Sequence, residues 1–148
     1  MISVKEHLQR LAQQPGSGPL PLSQCPEAGA LGACLILADA QGSRIELGFE
    51  LAEHFIQGAG VIQGGVLATM LDLALQTVAR HALQPGRAPS RATLNVSLLR
   101  ACNAGPVRAE AVIERAGRSV VFAQARLFNP QGQCLATGSA AMPVREQA

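Results

Sequence analysis

A chain of 148 residues, 48% hydrophobic and 15% charged, is too apolar for a disordered polypeptide and long enough to bury one core. A net charge of +2 and the absence of Trp and Tyr supply neither the basic footprint nor the stacking surface of a nucleic-acid binder. No uninterrupted apolar run approaches the roughly 20 residues that span a bilayer, and the first residues lack the apolar core of a signal segment, so the expectation is a soluble, cytoplasmic protein with no membrane partner.

In chain order, Ser3 followed by Glu6 has the pattern of a capping box, and Val4, Leu8 and Leu11 fall on one face, which predicts a helix over residues 3–13. Residues 14–30 are dense in proline and glycine and are predicted as loop. Residues 31–39 are apolar and strand-like. From Arg44 to Leu51, Ile45, Leu47, Phe49 and Leu51 alternate with Arg44, Glu46, Gly48 and Glu50, the period-two pattern of a strand with one buried face. Residues 52–63 are predicted as loop. A helix is predicted over residues 64–83, with Val66, Met70, Leu73, Ala74, Thr77, Val78 and His81 as its apolar stripe, ended by Gln84-Pro85-Gly86. Four strands follow at 92–100, 107–114, 119–128 and 134–142, the first with Leu94, Val96 and Leu98 on one face. Short turn-forming joints make them antiparallel. One long amphipathic helix beside such strands must pack against their sheet.

The four cysteines, Cys25, Cys34, Cys102 and Cys134, form no Cys-x-x-Cys pair and have no histidine at ligand spacing. They are expected to be free thiols, with no metal bound. None has a histidine placed by sequence to activate it as a nucleophile.

Asp72 stands out because it lies in the most apolar helical stretch, where an unpaired charge is costly. Its neighbours three, four and seven residues away are Ala68, Thr69, Leu75, Gln76 and Gly65. Most are small or polar and leave room for a ligand. At the start of the same helix, Gly64 and Gly65 present N–H groups without intrahelical acceptors, in the positive potential of the helix dipole. Such groups suit a developing oxyanion. Asp72 lies eight residues beyond Gly64, about 12 Å along the axis, too far for both to act on one carbonyl. If the two cooperate, a two-fold dimer with antiparallel helices must bring them together. The alternative is a structural carboxylate neutralised by an arginine.

Residues His54–Leu75, the run Thr93-Leu94-Asn95-Val96-Ser97-Leu98-Leu99-Arg100, Gly105, the turn Arg115-Ala116-Gly117-Arg118 and Gly132 together resemble the hotdog-fold acyl-CoA thioesterases of the phenylacetyl-CoA type. The resemblance covers roughly residues 44–142. It implies an α+β hotdog fold, an antiparallel sheet wrapped around one long helix. That domain would span residues 31–148, after an N-terminal helix and loop over residues 1–30. It also implies a homodimer, often a dimer of dimers, that hydrolyses acyl-CoA with no cofactor beyond the CoA of the substrate. By the same resemblance Asp72 activates water or attacks directly, and Gly64 donates its N–H to the thioester oxygen. Gln57 and Gln63 stand where the family carries Asn and His. Glutamine keeps a hydrogen-bonding amide but cannot become cationic. Gly65, Thr69, Ser90 and Thr93 are expected near the substrate, and Arg91 and Arg118 near the CoA phosphates. A non-catalytic acyl-CoA-binding protein is the first alternative. An enoyl-CoA hydratase using His54 is the second.

Overall fold

The alternation in Arg44–Leu51 becomes a central strand whose inward residues Ile45, Leu47, Phe49 and Leu51 are all buried. A computed structural model describes residues 2–23, 25–91 and 93–147. Its strands are β1 (Leu20–Pro21), β2 (Cys34–Ala38), β3 (Arg44–Leu51), β4 (Arg87–Pro89), β5 (Asn95–Leu98), β6 (Gly105–Ala116), β7 (Val120–Phe128) and β8 (Cys134–Glu146). They form one antiparallel sheet in the order β1-β2-β3-β6-β7-β8-β4, and β5 pairs with β8 beside β4. The long β8 serves two neighbours on one side: Ala136–Ser139 take β5, and Val144–Glu146 take β4.

The helix α3 (Gly64–Ala82) packs on β3, β6, β7 and β8. Ala109, Ala111, Ala123 and Ala125 face inward and are buried, and these small side chains let the helix approach the sheet. Met70, Leu71, Leu75 and Val78 have no solvent exposure; burying each contributes roughly 1.5–3 kcal/mol. This is a hotdog fold. The capping box at Ser3 and Glu6 forms as predicted and opens α1 (Val4–Gln13), whose Leu8 and Leu11 join the core.

Four expectations are corrected. The region 14–30 is not all loop: it contains β1 and a short helix α2 (Pro26–Ala30), begun by Pro26 at its first position. Arg87–Pro89 is a strand that the turn chemistry around it obscured. The buried face of α3 overlaps the predicted stripe but is turned from it: Met70, Ala74, Thr77 and Val78 are buried as expected and are joined by Leu67, Leu71, Leu75 and Ala79, while Val66, Leu73 and His81 are half-buried. A helix this apolar carries hydrophobic residues on more than one face, so periodicity alone does not fix its orientation. Finally, β5 is shorter than predicted (Ala92 lies outside the described residues), and Leu94 and Leu98 on its expected buried face are 41% and 55% exposed. Among the described residues β5 pairs only with β8, so it stands at an edge of the sheet.

Candidate functional site

Asp72 sits on the side of α3 turned away from the deepest part of the core, in a cavity of about 400 Å³. Thr69, Leu73, Gln76, Thr77 and Arg80 line it from the same helix, and Arg91 from the segment after β4. The remaining wall comes from the N-terminal residues Val4, Leu22, Cys25, Glu27 and Ala28. Arg91 places its guanidinium 2.6 Å from Asp72 Oδ2. Burial pushes the Asp72 carboxyl above its ordinary value, and the opposing pull of Arg91 does not cancel it. The hydroxyls on this face are already engaged, since Thr69 Oγ1 donates to Gly65 O and Thr77 Oγ1 to Leu73 O.

Gly64 lines a different cavity, of about 320 Å³, with Gln57, Ile62, Leu98, Arg100 and Cys102 among its neighbours. Among the described residues neither the Gly64 nor the Gly65 N–H has a hydrogen-bond acceptor, as the first turn of a helix requires. Gln63 is the N-cap, but its side chain caps nothing. Its N–H donates to Phe55 O and its carbonyl accepts from Val66 N–H. A Cβ on Gly64 would lie 2.6 Å from Leu98 Cδ1, whereas one on Gly65 would meet nothing within 4 Å. The Gly64 backbone is thus closely covered by one flexible side chain, and Gly65 is open.

Within one chain, the structure therefore brings Asp72, Thr69 and Arg91 together and, separately, Gln57 and Gly64. It does not join the two groups. Ser90 and Thr93 follow β4 and tie into β8: Ser90 N–H donates to Pro143 O, and the Thr93 hydroxyl accepts from Ala141 N–H. Arg118 lines neither cavity, and its carbonyl accepts from Arg87. His54 is exposed, its ring tilted at 44° against that of Phe55, and it also lines neither. The four cysteines are free, with Cys102 buried and its thiol pushed up by burial. Among the described residues no group of three His, Cys, Asp or Glu could hold a metal, and no helix is long and apolar enough to cross a membrane.

Sequence reasoning missed the N-terminal wall of the Asp72 cavity and the contribution of Arg80. The leucines at 20, 22 and 31 inside a proline-rich stretch were the available signal, since apolar residues there must pack against something.

Residues 59–136 match the family model of the thioesterase superfamily. Among solved structures, the phenylacetic acid degradation-related protein of Ralstonia eutropha is 30% identical, with 92% of this chain and 98% of that chain covered at a TM-score of 0.78. A thioesterase of Haemophilus influenzae is 19% identical, covering 94% and 90%, with a TM-score of 0.75. A Streptococcus mutans protein bound to acetyl-CoA is 16% identical, covering 71% and 83%, with a TM-score of 0.66. These last two share the fold. No curated protein matches the sequence. With its family-model match spanning more than half its length, the chain belongs to the thioesterase superfamily.

Proposed function

We propose that the protein hydrolyses an acyl-CoA thioester to the free acid and CoA, at a site shared by two copies of the chain. Asp72 of one subunit takes a proton from water as the water oxygen attacks the thioester carbonyl. The N–H of Gly64 in the other subunit receives the developing oxyanion, reinforced by the α3 dipole. The tetrahedral intermediate collapses with cleavage of the C–S bond, and the departing thiolate takes the proton held by Asp72, which restores the carboxylate. No cofactor is required beyond the CoA of the substrate. Gln57, beside Gly64, offers an amide to the same carbonyl or to the water.

One observation carries this reading: a half-buried carboxylate, Asp72, and Gly64, whose N–H has no acceptor among the described residues, lie on one helix but line separate cavities. Each is half of a hydrolytic site. Among the described residues β5 pairs only with β8, and exposed Leu98, with Leu94 and Leu99 flanking the strand, supplies a surface for the second copy; a two-fold operation completes two sites at once. The acetyl-CoA held by the Streptococcus mutans protein supports an acyl-CoA as the ligand class. Pairing of such dimers into tetramers is part of the same proposal.

The Asp72–Arg91 contact gives the binding-protein alternative its footing, because a neutralised carboxylate is a poorer base. No observation favours the hydratase, whose His54 lies outside both cavities. The test is release of free thiol from short, medium, branched and aryl acyl-CoAs by wild type and Asp72→Asn. Asp72-dependent release supports hydrolysis, and acyl-CoA binding without turnover replaces it with the binding role.

A further inference from the structure

The wall of the Asp72 cavity opposite α3 is built by the N-terminal segment of the same chain, and it is fastened to the sheet. Leu22 N–H donates to Ala33 O, Ala33 N–H to Ala28 O, and Glu50 N–H to Leu31 O. The segment is thus tied to the entry of β2 and to β3 by backbone bonds. Ala28 and Leu22 are buried, at 2% and 3% exposure, in the continuous core. Cys25 is half-buried, packs against the core and caps α2 without a side-chain hydrogen bond to the helix, and it lines the cavity. Across from it, Leu73 and Thr77 give an apolar strip, because the Thr77 hydroxyl is spent on Leu73 O. From Thr69 to Arg80 this helix face runs about 16 Å, with Asp72 near one end. A volume of about 400 Å³ lies in the range of small-molecule sites.

We propose that this cavity receives the acyl chain and that the N-terminal segment, through Leu22, Cys25 and Ala28, sets the length of acyl group the enzyme accepts. The reading rests on thioester hydrolysis at Asp72 for its catalytic consequence. A chain attached to the carbonyl beside Asp72 runs along Leu73 and Thr77 and meets the α2 wall. A medium-length aliphatic group fills the space. Bulk added at Cys25 shortens it without removing a hydrogen bond.

Two measurements test this. In wild type, modification of Cys25 by iodoacetamide is followed by peptide mass mapping in the presence of either free CoA or its non-hydrolysable octyl thioether. The thioether is expected to slow modification of Cys25 severalfold relative to free CoA; equal rates overturn the assignment, whatever the protein hydrolyses. In Cys25→Phe, with folding checked by thermal melting, the ratio of kcat/KM for octanoyl-CoA to that for acetyl-CoA is expected to fall roughly tenfold. A ratio unchanged from wild type in the folded variant overturns it equally. If wild type releases no thiol from any acyl-CoA, the catalytic reading fails by itself and the labelling comparison alone decides the wall.

Discussion

Arg91 reaches Asp72 at 2.6 Å, yet the carboxyl of Asp72 still stands above its ordinary pKa. The two partners are unequally exposed: the Asp72 side chain retains 17% of its accessibility and Arg91 retains 74%. Water and salt screen the arginine, while the desolvation of Asp72 persists. A carboxyl raised in this way is half-protonated at a higher pH than a solvated aspartate, and in the proposed mechanism it is the base. Removing the opposing cation in Arg91→Ala is expected to raise it further. The acidic limb of the pH profile of kcat/KM then moves to higher pH, and an unmoved limb shows that Arg91 does not govern Asp72 in solution.

The same shift has a consequence for stability. The folded-state pKa of Asp72 lies above the unfolded value of 3.8, so its favourable contribution is complete below that value and is lost as pH rises through the folded one. At neutral pH the charge is a burden. Asp72→Asn is expected to melt no lower than wild type at neutral pH while losing about a hundredfold or more in turnover, the share of a positioned base. Thermal melts at neutral and acidic pH check the first part; a lower melting temperature at neutral pH would mean that the Arg91 pair outweighs desolvation.

Gly64 allows its N–H to be removed without disturbing the helix. It is the first residue of α3, where proline is well tolerated, and Gln63 before it has φ −60° and ψ 136°, the conformation a following proline requires. Gly64→Pro is expected to fold, with Leu98 shifting aside, and to lose about a hundredfold to a thousandfold in kcat, the cost of an absent oxyanion donor. Gly65→Ala, which meets open space, is expected to keep the fold and gain up to about 1 kcal/mol from helix propensity. Circular dichroism melts beside steady-state rates separate the two effects.

At the C-terminal end of α3, Asp39 organises the turn between β2 and β3 and contacts His81 of the helix. Burial acts to raise its carboxyl, but hydrogen bonds from the Ser43 hydroxyl and the Arg44 and Ser43 N–H groups, with His81 beside it, outweigh burial and hold it below its ordinary value. His81 Nε2 also lies 2.6 Å from Asp39 O. This stabilisation is present above the unfolded pKa of 3.8 and is lost as pH falls through the folded one. Asp39→Ala is expected to cost about 1–2 kcal/mol at neutral pH, with the difference from wild type narrowing in acid. Urea melts across that range check it.

Much of the fold is legible in the sequence because its signals agree across levels. Arg44–Leu51 alternates, Ser3 and Glu6 pair across a helix start, and glycine or proline marks the joints between β6, β7 and β8. Asp72 and Gly64 are legible for a similar reason: a charge in an apolar helix and a diglycine at its start are local anomalies. The rest depends on tertiary placement. Leu71 and Leu75 face inward rather than Val66 and Leu73, a choice made by the sheet and not by the helix. Leu98, in the edge strand β5, and Leu94 just before it look like core in the sequence, yet both are exposed. Val4, Leu22, Cys25 and Ala28 reach Asp72 only because backbone bonds fold the N-terminal segment against the entry of β2, and no spacing in the sequence encodes that meeting.

The most direct test of a site shared between subunits is complementation between two inactive variants. Asp72→Asn and Gly64→Pro are purified separately, mixed under conditions that exchange subunits, and assayed for thiol release, with exchange confirmed by co-purification of differently tagged chains. Each mixed dimer carries one site with both Asp72 and the Gly64 N–H intact, so activity is expected to return on mixing. If subunits exchange and the mixture stays as inactive as its parents, Asp72 and Gly64 do not act together across the two-fold axis.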